Sequence, residues 1–291
     1  MMAGDENYTQ SARVTGFLGW PDGHRPADDD PAENFHEASK NVPGVPPPAS
    51  AVVDSLNNDF TAGLPGATVA RPGRRNDALP VVELPTAAFG AATLGEQIAQ
   101  RRSRRGFGPA AISLQDLATV LHAGYGVAAQ LDEAAPYPGA RNVPSGGILF
   151  PLEIFIAARS VDGLEPGLYR YDPHRGQLEV VRHEDVSSSL ADLVIDLPSQ
   201  PDIPATCGAV IFMAGAFWRS RFKYNLRGYR YVLIEAGHVG QNVLLSAGAL
   251  GLSAFPCGGF WDRRVDAFLG LDGVNESVVY SVVLGSAPEG D

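Results

Sequence analysis

Proline sets the outline of this chain. Of its 23 prolines, 11 lie in the first 92 of 291 residues. A proline cannot sit inside a helix or in a central strand, so Asp28-Asp29-Asp30-Pro31 and Pro46-Pro47-Pro48 interrupt any regular element there. The same stretch carries 12 acidic residues against 6 basic ones. Residues 1–92 therefore read as a Pro-rich acidic N-terminal arm, partly ordered, with short apolar clusters such as Val52-Val53 and Val81-Val82 suited to docking on a body. The core must come from residues 93–291. With 45% apolar and 19% charged residues the chain can bury one, and global disorder is excluded.

Beyond residue 92 the pattern becomes periodic. Thr93-Leu94-Gly95-Glu96 is a capping box and predicts a helix through Ile98 that ends near Arg101-Arg102. Ser113 and Asp116 open a second helix, with Leu114, Leu117, Val120 and Leu121 on one face. Leu149 to Ala157 predicts a strand, and 167–172 and 177–181 a hairpin around Pro173-His174-Arg175-Gly176. Ala209 to Met213 reads as a buried strand, Val232 to Leu252 as a long apolar helix, and Ser277 to Leu284 as a final strand. Helices and strands mix without a βαβ repeat, which favours an α+β fold over a doubly wound one.

Composition narrows the function. A net charge of −11 lacks the basic footprint of a general nucleic-acid binder. Two cysteines, Cys207 and Cys257, exclude a disulfide framework and a multi-cysteine metal site. The first 20 residues hold no apolar signal core, and no segment is long and apolar enough for a membrane span, so a cytoplasmic protein with no membrane or nucleic-acid partner is expected. There is no phosphate loop, dinucleotide fingerprint, zinc-binding His-Glu-x-x-His or Gly-x-Ser-x-Gly elbow.

Four constellations remain. Arg101-Arg102-Ser103-Arg104-Arg105 is either a clamp for a phosphate monoester or a solvated helix end whose cations favour the helix dipole. Pro144-Ser145-Gly146-Gly147 and Pro256-Cys257-Gly258-Gly259 allow close approach of backbone to a flat ligand; taken singly they read as an ordinary loop and a helix-to-strand connection. Lys223-Tyr224, within the basic stretch 219–230, offers two groups suited to proton abstraction once the lysine is desolvated. On local pattern alone that stretch is a surface loop with stacking tyrosines. Glu235, His238 and Asn242 recur at helical spacing and read as core or interface hydrogen-bonding groups.

In their order along the chain these segments resemble the flavin-dependent nitroreductase superfamily, and within it the SagB/McbC-type azoline dehydrogenase branch. The likeness runs from about Thr93 to Pro288 through 101–107, 143–153, 167–173, 223–231, 235–242, 258–262 and 269–272. Asn34 to Lys40 in the arm is similar to the family's N-terminal segment. Gly258 stands where ordinary nitroreductases have a glutamate, as the SagB-like branch does; no basic residue lies in 283–287.

The resemblance implies an α+β fold around a mixed sheet flanked by helices, and a homodimer with FMN at the subunit interface. It implies that Arg101, Arg102, Ser103 and Arg105 hold the FMN phosphate and ribityl chain. Pro144, Ser145 and Gly146 line the isoalloxazine, and Gly258 and Gly259 approach its reactive edge. Lys223 and Tyr224 match the pair implicated in oxidising thiazoline or oxazoline rings to azoles. The implied partners are a modified precursor peptide and a cyclodehydratase complex. Flavin oxidation of another substrate, such as a carrier-bound thiazoline, and a non-catalytic assembly role are the alternatives.

Overall fold

The computed structural model describes residues 31–40, 79–127, 140–193 and 206–290. The chain divides into two units, Met1–Val45 and Pro46–Asp291. In the first, helix α1 (Pro31–Ala38) begins at a proline, where the missing N–H would have had no helical partner anyway. It ends at Ser39, whose hydroxyl donates to the carbonyl oxygen of Phe35. The acidic run at 28–30, the triple proline and Val52-Val53 lie outside the described residues.

In the second unit, helix α2 (Leu94–Gln100) carries the expected capping box. Thr93 Oγ1 accepts from the Glu96 amide, and the Glu96 carboxylate accepts from the Thr93 amide at 2.9 Å. Helix α3 (Leu114–Tyr125) opens with the Ser113 hydroxyl accepting from the Asp116 amide at 3.0 Å, and it buries Leu117, Val120 and Leu121. Among the described residues, helices α4 (Val186–Leu193), α5 (Trp218–Ala249) and α6 (Asp262–Leu269) follow.

The strands are β1 (Val81–Glu83), β2 (Ile112–Ser113), β3 (Leu152–Ala158), β4 (Val161–Asp162), β5 (Gly167–Asp172), β6 (Gln177–His183), β7 (Ala209–Ala216), β8 (Leu252–Cys257) and β9 (Glu276–Ser286). Among the described residues the main sheet has seven strands in the order β1-β6-β5-β3-β7-β9-β8, and all their pairings are antiparallel. The parallel component is small: β2 pairs with β4. Val81-Val82 thus forms part of an edge strand on the hairpin β5–β6.

Alternation along the central strands divides the core between two faces. Ile154, Ile156, Ile211, Met213 and Val282 pack with α3 and α5 on one side. Phe155, Val210, Phe212 and Val283 pack with α4 and α6 on the other. The class is α+β, as the sequence pattern indicates.

Two local expectations are corrected. Helix α5 begins at Trp218 rather than Val232, so the basic stretch 219–230 is helical and not a surface loop. Its tertiary contacts explain why: the Phe217 and Tyr229 rings stack at 4.8 Å, and Gly228 is pressed so close to Ser220 that a Cβ would stand 2.8 Å from its backbone. The helix is broken once, at Asn225 (φ 49°, ψ −134°). Pro256 and Cys257 belong to β8 and not to a helix-to-strand connection. β8 is an edge strand, where the proline's missing N–H costs the ladder nothing. Among the described residues no helix is long and apolar enough to cross a membrane.

Candidate active site

Ser145, Gly146 and Gly147 form a tight turn between the 140s loop and β3, and α5 meets each of them. The Ser145 hydroxyl donates to Glu235 at 2.5 Å. Gly146 lies on the Tyr231 ring, where a Cβ would come within 3.1 Å of a ring carbon. Gly147 (φ 68°) faces the functional pair: a Cβ there would fall 2.5 Å from the Tyr224 hydroxyl and 3.2 Å from Lys223 Nζ. Only glycine accepts both that backbone conformation and that proximity. Lys223 is buried, and the Tyr224 and Tyr231 rings meet edge to face at 4.9 Å. Burial, and then the neighbouring Tyr231, push the Tyr224 phenol up, so it keeps its proton at neutral pH.

Lys223 and Tyr224 are adjacent in sequence yet face one site. They sit just before the break in the helix at Asn225.

Beneath the turn lies a buried hydrogen-bond network. Glu235 accepts from the Tyr125 hydroxyl at 2.7 Å as well as from Ser145. Tyr125 Oη in turn accepts from the Leu152 amide, and Ser145 Oγ from the Phe150 amide. The Arg141 guanidinium stacks on Tyr125 at 4.0 Å and on Phe150 at 4.7 Å. Burial pushes the Glu235 carboxyl up to about 7, against the pull of Ser145, Tyr125 and Arg141. The turn itself is strained: Ile148 and Phe150 also have positive φ, 60° and 42°, which non-glycine residues adopt only when their surroundings compel it.

The arginine segment leaves the end of α2 and runs beside β8. The Arg104 amide donates to the Ala254 carbonyl at 3.0 Å, and the Arg105 guanidinium lies 5.5 Å from the Phe255 ring centre. Arg101, Arg102 and Arg104 line a cavity of about 260 Å³ with Gln97, Gly248 and Ala254. Arg102 also donates to the carbonyls of Ala99 and Arg101, so this side chain serves the helix end. Ser103 and Arg105 do not line that cavity, and neither do Ser145, Gly146 or Lys223. At the far end of β8, Gly258 and Gly259 have no atom within 4 Å of where a Cβ would stand.

One chain thus presents two groups: the turn 145–147 with Lys223 and Tyr224, and the arginine segment with β8 and the glycine pair. Pro144 is exposed beside the first. Arg104 and Gly147 stand inside the sequence motifs without an assigned role of their own, and Tyr231 has none at all. Gly147 is signalled by the doubled glycine, whereas Tyr231 has no signal beyond its place seven residues after Tyr224. Of the three polar residues in the long helix, Glu235 joins the turn, Asn242 donates to the carbonyls of Ala123 and Asn142, and His238 is exposed.

Comparison with known proteins finds relatives of this chain. The nitroreductase family model matches residues 98–286. A nitroreductase-like protein of Methanocaldococcus jannaschii is 35% identical over 176 residues, covering 60% of this chain and 83% of its own. The microcin B17-processing protein McbC of Escherichia coli is 31% identical over 148 residues, covering 48% of this chain and 52% of McbC. The chain thus aligns with about half of McbC's length. A chain of the E. coli microcin synthetase McbBCD complex, solved with truncated pro-MccB17 bound, superposes with a TM-score of 0.54 at 22% identity, covering 96% of this chain and 93% of that one; the likeness is one of fold.

Proposed function

This chain belongs to the nitroreductase family, and we propose that it is an FMN-dependent oxidoreductase that converts azoline rings of a precursor peptide to azoles. The observation that carries this reading is the meeting of Lys223 and Tyr224 with Gly147. It joins a proton-transfer pair to the turn assigned to the flavin. The relative McbC, a microcin B17-processing protein, supports a peptide substrate. The proposal takes 93–291 as the FMN-binding domain and 1–92 as the arm, with a cyclodehydratase as partner and the cytoplasm as location.

The residues fit the cofactor. Arg101, Arg102 and Arg104 line a cavity in an otherwise acidic chain, the donor set for a phosphate monoester. The open space above Gly258 and Gly259 admits a flat ring against the backbone. Arg101, Arg102, Ser103 and Arg105 would hold the phosphate and ribityl chain, and Pro144, Ser145 and Gly146 would line the ring. Because a single chain presents the two groups apart, the proposal joins them across a homodimer. When bound, FMN supplies the two-electron acceptor.

An azoline loses two electrons and two protons on becoming an azole. The chain's own part is to orient the ring, exclude water and move a proton. Tyr224, holding its proton, donates a hydrogen bond to the substrate. Lys223 takes the proton from the ring carbon. Gly147, with no side chain, lets both groups stand directly against the turn. The test is the visible spectrum of the purified protein with its released cofactor identified, followed by turnover of a thiazoline peptide. Wild-type protein should carry FMN and form azole. Lys223→Ala should keep FMN and lose turnover by about 100-fold or more; full activity in that variant would remove the assignment.

A further inference from the structure

Glu235 is 2% exposed in the middle of an otherwise apolar stretch of α5. A carboxylate there brings no packing that an apolar residue of similar volume would not. Its two oxygens are used by different hydroxyls, Oε1 by Tyr125 and Oε2 by Ser145. Each hydroxyl also accepts a backbone amide from one short segment: Leu152 for Tyr125 and Phe150 for Ser145. The carboxylate therefore ties down both ends of a segment that holds three positive-φ residues, Gly147, Ile148 and Phe150. One helical turn earlier, Tyr231 backs Gly146.

We propose that Glu235 is the positioning residue of the turn: acting through Ser145, it holds 145–150 in its strained form and so sets where Gly146 and Gly147 stand relative to Lys223 and Tyr224. The inference rests on the reading of this turn as the flavin-lining one. The charged and titratable groups facing Glu235 are Tyr125 from α3 and Arg141 from the loop ahead of the turn.

The test compares wild type, E235Q, S145A and the double variant by two readouts. Glutamine keeps the size of glutamate but can accept from only one of the two hydroxyls. The first readout is amide exchange. E235Q and S145A should each speed exchange at Phe150 by about 10-fold or more while the amides of α5 hold. The second is affinity for FMN added to the apoprotein, well below the unfolding temperature. Each single variant should bind about 10-fold more weakly, and the double variant about as weakly as the worse single, because both changes break the same Ser145–Glu235 hydrogen bond.

Unchanged exchange at Phe150 in E235Q overturns the proposal. So does independent weakening, about 100-fold in the double variant. A wild-type protein that takes up no FMN while Phe150 exchange still responds would keep the positioning role and remove the flavin reading.

Discussion

At the turn, Glu235, Tyr125 and Ser145 find their hydrogen-bond partners in one another and in the backbone of 150–152. At the arginine segment, Arg101 and Arg104 border a cavity of about 260 Å³, and the glycine pair beyond β8 has empty space above it. The first region is complete within the chain and strained; the second is open and cationic. This division of labour suits a site in which proton-transfer groups must stand in fixed geometry while a charged, exchangeable cofactor supplies its own binding contacts. It also predicts which changes alter chemistry, which alter stability and which alter only affinity.

The largest effect is expected at Lys223. Replacement by alanine should lower azoline turnover by about 100-fold or more with FMN still bound, measured by azole formation and flavin content. Equal loss of flavin and turnover would show that the two regions are not separable.

Next comes Glu235. Its carboxyl rises from an ordinary 4.5 to about 7 in the folded chain, so the folded state holds the proton more tightly than the unfolded one. The stability it contributes is present in full below about pH 4.5 and is lost as pH rises through about 7. At about 1.4 kcal/mol per unit, the difference in unfolding free energy between wild type and E235Q should move by about 3 kcal/mol across that window, with E235Q gaining towards high pH. Denaturant titrations at several pH values check this; parallel pH profiles would contradict it.

The arginine region should behave in the opposite way. Arg101→Ala should weaken FMN binding by about 10-fold to 100-fold, more so at low salt, and leave the unfolding midpoint in place. A large loss of stability would mean that the region is built like the turn.

The smallest effect concerns Gly147→Ala. A methyl group at φ 68° and 2.5 Å from the Tyr224 hydroxyl should cost roughly 1–2 kcal/mol and displace Tyr224, seen as lower turnover at nearly unchanged FMN affinity.

Much of the fold is legible in the residues themselves. Thr93 with Glu96 and Ser113 with Asp116 fix two helix starts through local bonds, and the continuous apolar run of 209–213 reads as the buried central strand it forms. The missed features depend on contacts that no residue pattern announces. Residues 219–230 are polar enough to read as a loop, yet the Phe217–Tyr229 stack and the close fit of Gly228 on Ser220 make them helical.

The site follows the same rule. Lys223 and Tyr224 stand out by chemistry, and the arginines by charge. The role of Glu235 depends on Ser145, 90 residues away, and no local pattern announces that pairing. Arg104 and Arg102 differ only in what the folded chain brings beside them: Arg102 donates to the carbonyl of Ala99 at the end of α2, while the Arg104 backbone is bound to β8.

The account's central claim is tested most directly by mixing FMN-loaded protein with a thiazoline peptide in the absence of oxygen. The account predicts loss of the oxidised flavin's visible band, with one azole formed per flavin, in wild type and not in Lys223→Ala. A wild-type protein that binds FMN yet leaves both flavin and thiazoline unchanged would contradict it.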